Sequence, residues 1–225
     1  MLHKPLYDIT PFTLLDYPDH LAAIFWFAGC NMRCVYCYNR DIVFGEGERS
    51  EEEAIAFLES RTGLLEAVVL SGGEATLYED LPVFCKKIKQ LNFKIKLDTN
   101  GLNPEMVRRL VEKNLVDYIA LDYKAPKERY YTVTKDKHFD RFSKTLNFLI
   151  SQAFPFEVRT TVHSDLLGAE EINRIIKDLV KRGYTGTYYL QPFVFVDNTI
   201  GRVKKETASF DRSSLSSALK IVWRE

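Results

Sequence analysis

Segments that indicate short strands alternate with segments that indicate helices along most of the chain. The six predicted strands cover about residues 21–28, 66–70, 93–97, 116–121, 156–162 and 187–196. Helices are predicted over about residues 50–60, 77–91, 104–114, 138–152, 169–182 and 211–223. This alternation favours a parallel sheet of right-handed βαβ units. A closed barrel of this kind needs eight strands. We therefore predict an α/β fold, a partial (β/α)6 TIM-like barrel, in one domain over residues 1–225.

The composition indicates which classes of molecule the protein is not expected to bind. The formal net charge is zero, so no global field attracts nucleic acid or an anionic membrane surface. No apolar stretch reaches the length of a membrane span, and residues 1–8 lack the apolar core of a signal peptide. We expect a cytoplasmic protein with neither a nucleic-acid nor a membrane partner.

Three cysteines follow the first predicted strand at short spacings. Cys30, Cys34 and Cys37 form a Cys-x3-Cys-x2-Cys pattern, called the cysteine loop (residues 30–37) below. An odd number of thiols cannot pair off as disulfides, and soft thiolates select iron–sulfur, zinc or copper(I). A cubane [4Fe–4S] cluster normally takes four thiolates, so three local ligands would leave one iron open. A zinc site or three unrelated thiols are the alternatives, although no further Cys or His lies close by to complete a zinc site.

The cysteine loop resembles that of the radical S-adenosylmethionine (SAM) enzymes. The resemblance implies that the open iron chelates the amino and carboxylate groups of SAM. One electron from the cluster would then cleave SAM to methionine and a 5′-deoxyadenosyl radical. Tyr36 matches the family's aromatic position, which lies against the adenine. The fourth cysteine, Cys85, lies within a helical pattern, and we expect it to be a buried small hydrophobe.

Polar clusters that follow the other strands are expected at the same edge of the sheet as the cysteine loop. In parallel α/β folds, ligands bind at the carboxyl ends of the strands. Gly72 and Gly73 allow a close approach of the backbone to a ligand, and Glu74 then presents a carboxylate. The resemblance assigns this Gly-Gly-Glu motif to the SAM ammonium. Arg159 aligns with an arginine that meets the SAM carboxylate, and Lys124 is a second candidate; a solvent-facing position on an edge strand is the alternative for Arg159.

Two neighbouring predicted strands end in residues whose side chains offer hard oxygen donors. Asp98 and Thr99 end one strand and Asp122 ends the next. Such donors can hold a small cation, and the resemblance to pyruvate formate-lyase activating enzyme implies a monovalent cation beside SAM. The alternative is that Asp98 and Thr99 cap a turn and that Asp122 pairs with Lys124.

Within the radical SAM enzymes, the chain most resembles the glycyl-radical-enzyme activating proteins, above all those of anaerobic ribonucleotide reductase. The runs Ser71–Leu77 and Tyr38-Asn39 carry this resemblance, together with the segment before the first strand. Within that segment, Asp16 is either a turn residue or a substrate-facing one, and Asp19 stands where those proteins usually have glycine. The resemblance is convincing over residues 13–124 and weaker up to Pro192.

The resemblance also implies partners for the protein. It implies abstraction of a hydrogen atom from a backbone glycine of a glycyl radical enzyme, with flavodoxin or ferredoxin as the electron donor. The glycine-bearing loop is expected to enter near Asp16 and the cysteine loop. The alternative is a radical SAM enzyme that acts on a small molecule, like 7-carboxy-7-deazaguanine synthase. A non-enzymatic metal-binding or scaffold module is the third hypothesis.

Overall fold

The computed structural model describes residues 4–207 and 210–224. Within them, eight strands form one sheet in the order of the chain. The strands are β1 (Leu6–Thr13), β2 (Ala22–Phe27), β3 (Ala67–Gly72), β4 (Lys94–Thr99), β5 (Tyr118–Asp122), β6 (Phe156–Val162), β7 (Tyr188–Pro192) and β8 (Ile221–Trp223). The helices are α1 (Arg40–Phe44), α2 (Glu51–Glu59), α3 (Leu81–Gln90), α4 (Pro104–Glu112), α5 (Lys127–Thr134), α6 (Phe139–Ser151) and α7 (Ala169–Lys181). No helix in these described ranges has the length and apolar character needed to cross a membrane.

The predicted α/β class with a mainly parallel sheet is confirmed, but the predicted count of six strands is wrong. The two additional strands are β1 and β8, at the two edges of the sheet. β1 pairs antiparallel with β2, whereas β2, β3 and β4 pair in parallel, as do β6, β7 and β8.

The helix predicted over residues 211–223 is wrong. That segment contains a single 3-10 turn, Arg212–Ser214, and then β8. The Asp211 carboxylate accepts hydrogen bonds from the backbone N–H and the hydroxyl of Ser213, at 2.9 and 2.6 Å. Short polar side chains that bond to nearby backbone in this way compete with a helix. The segment is rich in serine, and its backbone therefore turns.

The chain divides into two compact units. Unit 1 comprises Met1–Asn31, Asn39–Thr99 and Asn103–Ile119, and unit 2 comprises Met32–Tyr38, Asn100–Leu102 and Ala120–Glu225. In unit 1, Phe25 and Phe27 of β2 pack against Phe84 of α3, with ring centroids 6.0 and 6.3 Å apart. All three side chains are buried, and burial of this kind contributes about 1.5–3 kcal/mol per large apolar side chain.

Two helices of unit 1, α2 and α4, begin at residues whose side chains accept from free backbone N–H groups of the first turn. Ser50 and Glu53 form the predicted capping box of α2, because the Ser50 hydroxyl accepts from the Glu53 N–H and the Glu53 carboxylate accepts from the Ser50 N–H. Pro104 occupies the first turn of α4, as predicted, behind an Asn103 side chain that accepts from Met106 N–H. These caps set where the helices start and hence where the loops before them end.

Strand β1 of unit 1 pairs irregularly with β2. Its register shifts between Leu6 and Asp8 and again between Thr10 and Thr13. At each shift β1 has one residue more than β2, which is the signature of a β-bulge. Pro11 lies in the second shift, where no ladder hydrogen bond is required of it.

Unit 2 has an aromatic core and a strand held by an ion pair. Tyr123 packs against Phe142 of α6 with ring centroids 4.6 Å apart. On β6, Glu157 is 1% exposed, and Arg224, just after β8, donates to both of its carboxylate oxygens at 2.6 and 2.7 Å. The Arg224 guanidinium also lies 3.7 Å from the centroid of the Tyr189 ring. A forked, stacked guanidinium suits this buried carboxylate, so these contacts fix β8 beside β7.

Candidate active site

The start of the cysteine loop is bound to the turn after β3, within unit 1. Gly73 N–H donates to Phe27 O at 2.8 Å, and Glu74 N–H donates to Gly29 O at 2.9 Å. Gly29 N–H in turn donates to Ile42 O at 2.8 Å. The residue immediately before Cys30 is therefore held from both sides by backbone hydrogen bonds.

The rest of the cysteine loop is held within unit 2. Arg33 N–H and Val35 N–H donate to the carbonyls of Thr134 and Val133, near the end of α5, at 3.0 and 2.9 Å. Residues 200 and 201 donate to the carbonyls of Cys37 and Val35 at 2.9 and 2.8 Å. A Cβ at Gly201 would lie 2.6 Å from Val35 Cβ, so only glycine fits there. Sequence reasoning missed α5 and Gly201, because neither carries a motif.

The four cysteines of the chain are free thiols. Cys34 is buried and Cys30 and Cys37 are partly exposed, as ligands to an added group would be. No three His, Cys, Asp or Glu side chains in the described ranges are grouped so as to hold a single metal ion. In a cubane cluster each cysteine binds a different iron, so such ligands need not meet at one point.

The prediction for Cys85 is confirmed by its position. Its side chain is fully buried in α3, and this burial raises the pKa of the thiol to about 12. A thiol of that kind is inert and serves as core packing.

The two glycines before Glu74 allow the backbone to approach the start of the cysteine loop. Gly72 has φ +114°, a region that favours glycine. A Cβ at Gly73 would lie 1.8 Å from Gly29 O, which is impossible without moving the backbone. The glycine requirement at these positions therefore comes from packing inside unit 1.

Glu74 is held in one orientation by two threonines. Its side chain is buried, with the residue 2% exposed. Its Oε1 accepts from the Thr76 hydroxyl at 2.6 Å, the Thr76 N–H at 3.2 Å and the Thr99 hydroxyl at 2.8 Å. The structure thus joins Thr99 to Glu74. A carboxylate is the kind of group that binds an ammonium ion through charge-assisted hydrogen bonds.

Asp98 is paired with a lysine that sequence reasoning missed. Lys96 Nζ lies 2.6 Å from Asp98 Oδ1, and the Ser71 hydroxyl donates to Oδ2 at 3.2 Å. The Lys96 side chain is 1% exposed. The available signal was the spacing, because residues two apart on a strand point to the same face.

Unit 2 brings together Asp122, Lys124 and Arg159. Arg159 Nε donates to Asp122 Oδ1 at 2.9 Å, and Lys124 Nζ donates to Oδ2 at 3.1 Å. Burial would raise the pKa of Asp122, but the charges of Arg159 and Lys124 outweigh it and lower the pKa to about 2. Burial likewise opposes the charged form of Lys124, and Asp122 more than compensates, so the pKa of Lys124 lies well above its usual value. Of the alternatives for Asp122, the pairing with Lys124 is the one observed.

The predicted cation site is not supported. Asp98 is engaged by Lys96 and Ser71 in unit 1, and Asp122 is engaged by Arg159 and Lys124 in unit 2. The physical reason is that each carboxylate already pairs with a positively charged side chain of the protein.

Tyr36 lies in unit 2 with the candidate cations. Lys124 Nζ is 6.0 Å from the centroid of its ring, at the outer limit of a cation–π contact. The phenolic oxygen is buried and has no hydrogen-bond partner in the described part of the chain. Buried polar atoms are nearly always paired, so this oxygen suits a bound group.

Asp16 lies in the connection between β1 and β2. The Thr13 hydroxyl donates a hydrogen bond to its carboxylate. In the described ranges, no hydrogen bond or ion pair found for Asp16 joins it to Glu74 or Asp98. These contacts are those of a turn residue, and a substrate-facing role stays a proposal.

The chain is similar to proteins of one known superfamily. The model of the radical SAM superfamily matches residues 24–179. A protein of Methanocaldococcus jannaschii, provisionally named as a glycyl-radical enzyme activating enzyme, is 30% identical over 175 residues, which are 75% of this chain and 72% of that protein. A second protein of this organism with the same provisional name is 26% identical over 182 residues, 79% of this chain and 69% of that protein.

Solved structures share the fold. Streptococcus suis SuiB, crystallised with S-adenosylmethionine, superposes with a TM-score of 0.68 at 14% identity. The match covers 90% of this chain and 52% of SuiB, so the chain spans about half the length of that structure. This likeness confirms the predicted fold class.

The residues present fit a [4Fe–4S] cluster and SAM. Three thiols that form no disulfide offer soft ligands, and the buried Tyr36 oxygen has no hydrogen-bond partner among the described residues. With the match to more than half of the chain, these features establish that the chain belongs to the radical SAM superfamily.

Proposed function

We propose that this protein activates a glycyl radical enzyme, with anaerobic ribonucleotide reductase as the favoured partner. The observation that carries the proposal is the similarity to the M. jannaschii proteins that are provisionally named as such activating enzymes. The activase-like run Ser71–Leu77 supports it. Flavodoxin or ferredoxin would donate the electron.

The cofactors would provide the radical chemistry. When bound, the cluster and SAM supply a one-electron cleavage of the C5′–sulfur bond, which yields methionine, 5′-deoxyadenosine and a glycyl radical after transfer of one hydrogen atom from glycine. The protein must therefore hold SAM and keep water out.

Unit 1 supplies the group suited to an ammonium ion. Glu74 is a buried carboxylate whose orientation is fixed by Thr76 and Thr99. The Lys96 ammonium pairs with Asp98, whereas Glu74 accepts from the hydroxyls of Thr76 and Thr99 and from the Thr76 N–H. We assign Glu74 to the SAM ammonium.

Unit 2 supplies groups suited to a carboxylate. Arg159 and Lys124 share one anion, Asp122, so these three side chains carry a net positive charge. Asp122 holds both cations in place, and the forked N–H donors of a guanidinium suit recognition of a carboxylate. We assign Arg159, with Lys124 beside it, to the SAM carboxylate, and Tyr36 to the adenine.

A protein partner requires an exposed surface for docking. In the β1–β2 connection, Leu14 and Leu15 are exposed, Leu15 at 87%, and Phe12 on β1 is half exposed. Three large apolar side chains are thus exposed within four residues. Such side chains become the buried anchors of an interface when a partner protein docks. We place the glycine-bearing loop of the partner here, next to Asp16.

The decisive experiment detects the glycyl radical. The cluster is reconstituted anaerobically, reduced with dithionite, and mixed with SAM and an anaerobic ribonucleotide reductase. Electron paramagnetic resonance should show a glycyl doublet, which disappears when the partner's glycine is replaced by alanine. Cys34→Ala should give no doublet, whereas the matched variant Cys85→Ala should give the signal of the wild type.

The same samples test the alternative hypothesis, in which the protein acts on a small molecule. If no glycyl radical enzyme gives a doublet, while a small pterin-type substrate accelerates release of 5′-deoxyadenosine, the protein acts on a small molecule instead. Leu15→Asp separates the two hypotheses further. It should reduce the glycyl doublet by weakening docking, and it should leave the slow cleavage of SAM without partner unchanged.

A further inference from the structure

Lys96 places a positive charge inside unit 1 where the sequence predicted an exchangeable cation. Lys96 and Asp98 are two residues apart on β4, so their side chains share a face of the strand. The ammonium lies 2.6 Å from Asp98 Oδ1, and the lysine side chain is 1% exposed. This ion pair is therefore internal and shielded from salt in the solvent.

A buried lysine of this kind needs a reason, because charged side chains are almost never fully buried unless they are paired. Here Lys96 is paired with one particular carboxylate, that of Asp98. Ser71 occupies the second oxygen of Asp98 at 3.2 Å, which fixes the carboxylate while Lys96 compensates its charge. An ammonium group is a compact point charge, and its charge is that of a potassium or sodium ion.

We propose that the Lys96 ammonium takes over the charge-compensating role of a monovalent cation at Asp98, so that SAM binding by this protein needs neither sodium nor potassium. Lys96 is thus a positioning residue, which acts through Asp98. The proposal rests on the binding of SAM at this site, as described under the proposed function, but not on the glycyl radical enzyme as partner.

The first test uses the wild-type, cluster-loaded protein. SAM binding is measured by calorimetry under argon in buffer whose only monovalent cation is tetramethylammonium, which is too large for a buried site, and then with potassium or sodium at equal ionic strength. The dissociation constants should agree within about twofold. A dissociation constant at least tenfold lower with potassium or sodium would overturn the proposal.

The second test removes the ammonium. Lys96→Ala removes the ammonium and leaves space beside Asp98, and SAM binding in tetramethylammonium should weaken by about tenfold or more, the scale of a lost hydrogen bond to a charged group. Potassium or methylammonium should restore most of this loss. Lys96→Met fills the space with an apolar chain and should stay weak in every buffer. Failure of potassium and of methylammonium to improve binding by Lys96→Ala would contradict the role of the charge.

A third measurement needs neither cluster nor SAM. The melting temperature of cluster-free Lys96→Ala should rise by several degrees when potassium replaces tetramethylammonium, whereas wild type should not respond. Lys89→Ala is the matched control, since Lys89 also pairs with an aspartate, Asp117, but in a partly exposed position. The double variant Lys96→Ala, Asp98→Asn removes both charges and should not respond.

These measurements separate the two proposals. If SAM binds independently of potassium but no glycyl doublet forms, the activase function fails and the role of Lys96 stands. If the doublet forms but requires potassium or sodium for SAM binding, the role of Lys96 fails and the activase function stands. If Lys96→Ala does not fold, the wild-type comparison of buffers still decides.

Discussion

Replacement of Gly73 by alanine tests whether the Gly-Gly-Glu turn holds the start of the cysteine loop. The added Cβ would lie 1.8 Å from Gly29 O and 2.5 Å from the carbonyl carbon. Real Cβ contacts essentially never fall below 3.0 Å, so the two backbone segments must separate by more than an ångström. The clash is with backbone atoms, which cannot rotate away as a flexible side chain would.

The cost follows from two contributions. Overpacking costs about 1–3 kcal/mol, and loss of the hydrogen bond from Glu74 N–H to Gly29 O costs about 0.5–1.5 kcal/mol. We expect the free energy of unfolding of the cluster-free protein to fall by about 2–4 kcal/mol, against about 5–15 kcal/mol for a typical domain. The variant should still fold, with Cys30 displaced.

Two assays measure this effect. Urea unfolding followed by circular dichroism gives the loss of stability, and iron and sulfide analysis after reconstitution gives the loss of cluster. Gly168→Ala is the control, because its Cβ would meet the Glu171 side chain at 3.5 Å and Ser164 O at 3.9 Å, both ordinary contact distances, and the expected loss is below about 1 kcal/mol. A Gly73→Ala protein that unfolds within about 0.5 kcal/mol of wild type and keeps its full iron content would refute the reasoning.

Three further predictions concern individual side chains. Substitution of any cysteine of the loop, for instance Cys34→Ala, should abolish SAM cleavage, whereas Cys85→Ala should retain it; equal iron loss in Cys85→Ala would make Cys85 a ligand. Glu74→Gln should weaken SAM binding by about 1.5–3 kcal/mol, and an unchanged dissociation constant by calorimetry would give Glu74 a purely structural role. Asp122→Asn should lower the free energy of unfolding at pH 7 by about 2 kcal/mol, because the carboxyl pKa falls from its usual 3.8 to about 2 in the folded state and one pH unit corresponds to about 1.4 kcal/mol. Since that pKa is lowered, the contribution is present above about pH 4 and is lost toward pH 2, so acid titration should cost the wild type more than the variant; parallel acid curves would contradict this.

The fold could be predicted where the sequence of a segment indicates, by itself, the structure of that segment. The capping box at Ser50 and Glu53 is local, and so are the apolar runs of β2 to β7. Strand β8 has three residues and, within residues 4–207 and 210–224, pairs with β7 alone, so its formation depends on tertiary contacts. The bulges and Pro11 hid the alternation of β1.

In the candidate site, too, features that depend on local sequence could be predicted, whereas contacts between distant residues could not. The cysteine spacing and the Gly-Gly-Glu run are local patterns that point to chemistry directly. The pairing of Asp122 with Arg159 joins β5 and β6, and no local pattern specifies it. The prediction of a cation site considered Asp98 without Lys96, although both lie on one strand and form an ion pair.

The irregular pairing of β1 also affects how chains behave at high concentration. β1 is the first strand of the sheet order and has β2 as its neighbour, so its outer side is a potential template for aggregation. The two shifts in register make the row of donors and acceptors along β1 irregular, and Pro11 contributes no N–H to that row. An incoming strand would meet a broken ladder there. Fibril growth from this edge is therefore disfavoured by the same bulges that bend the strand.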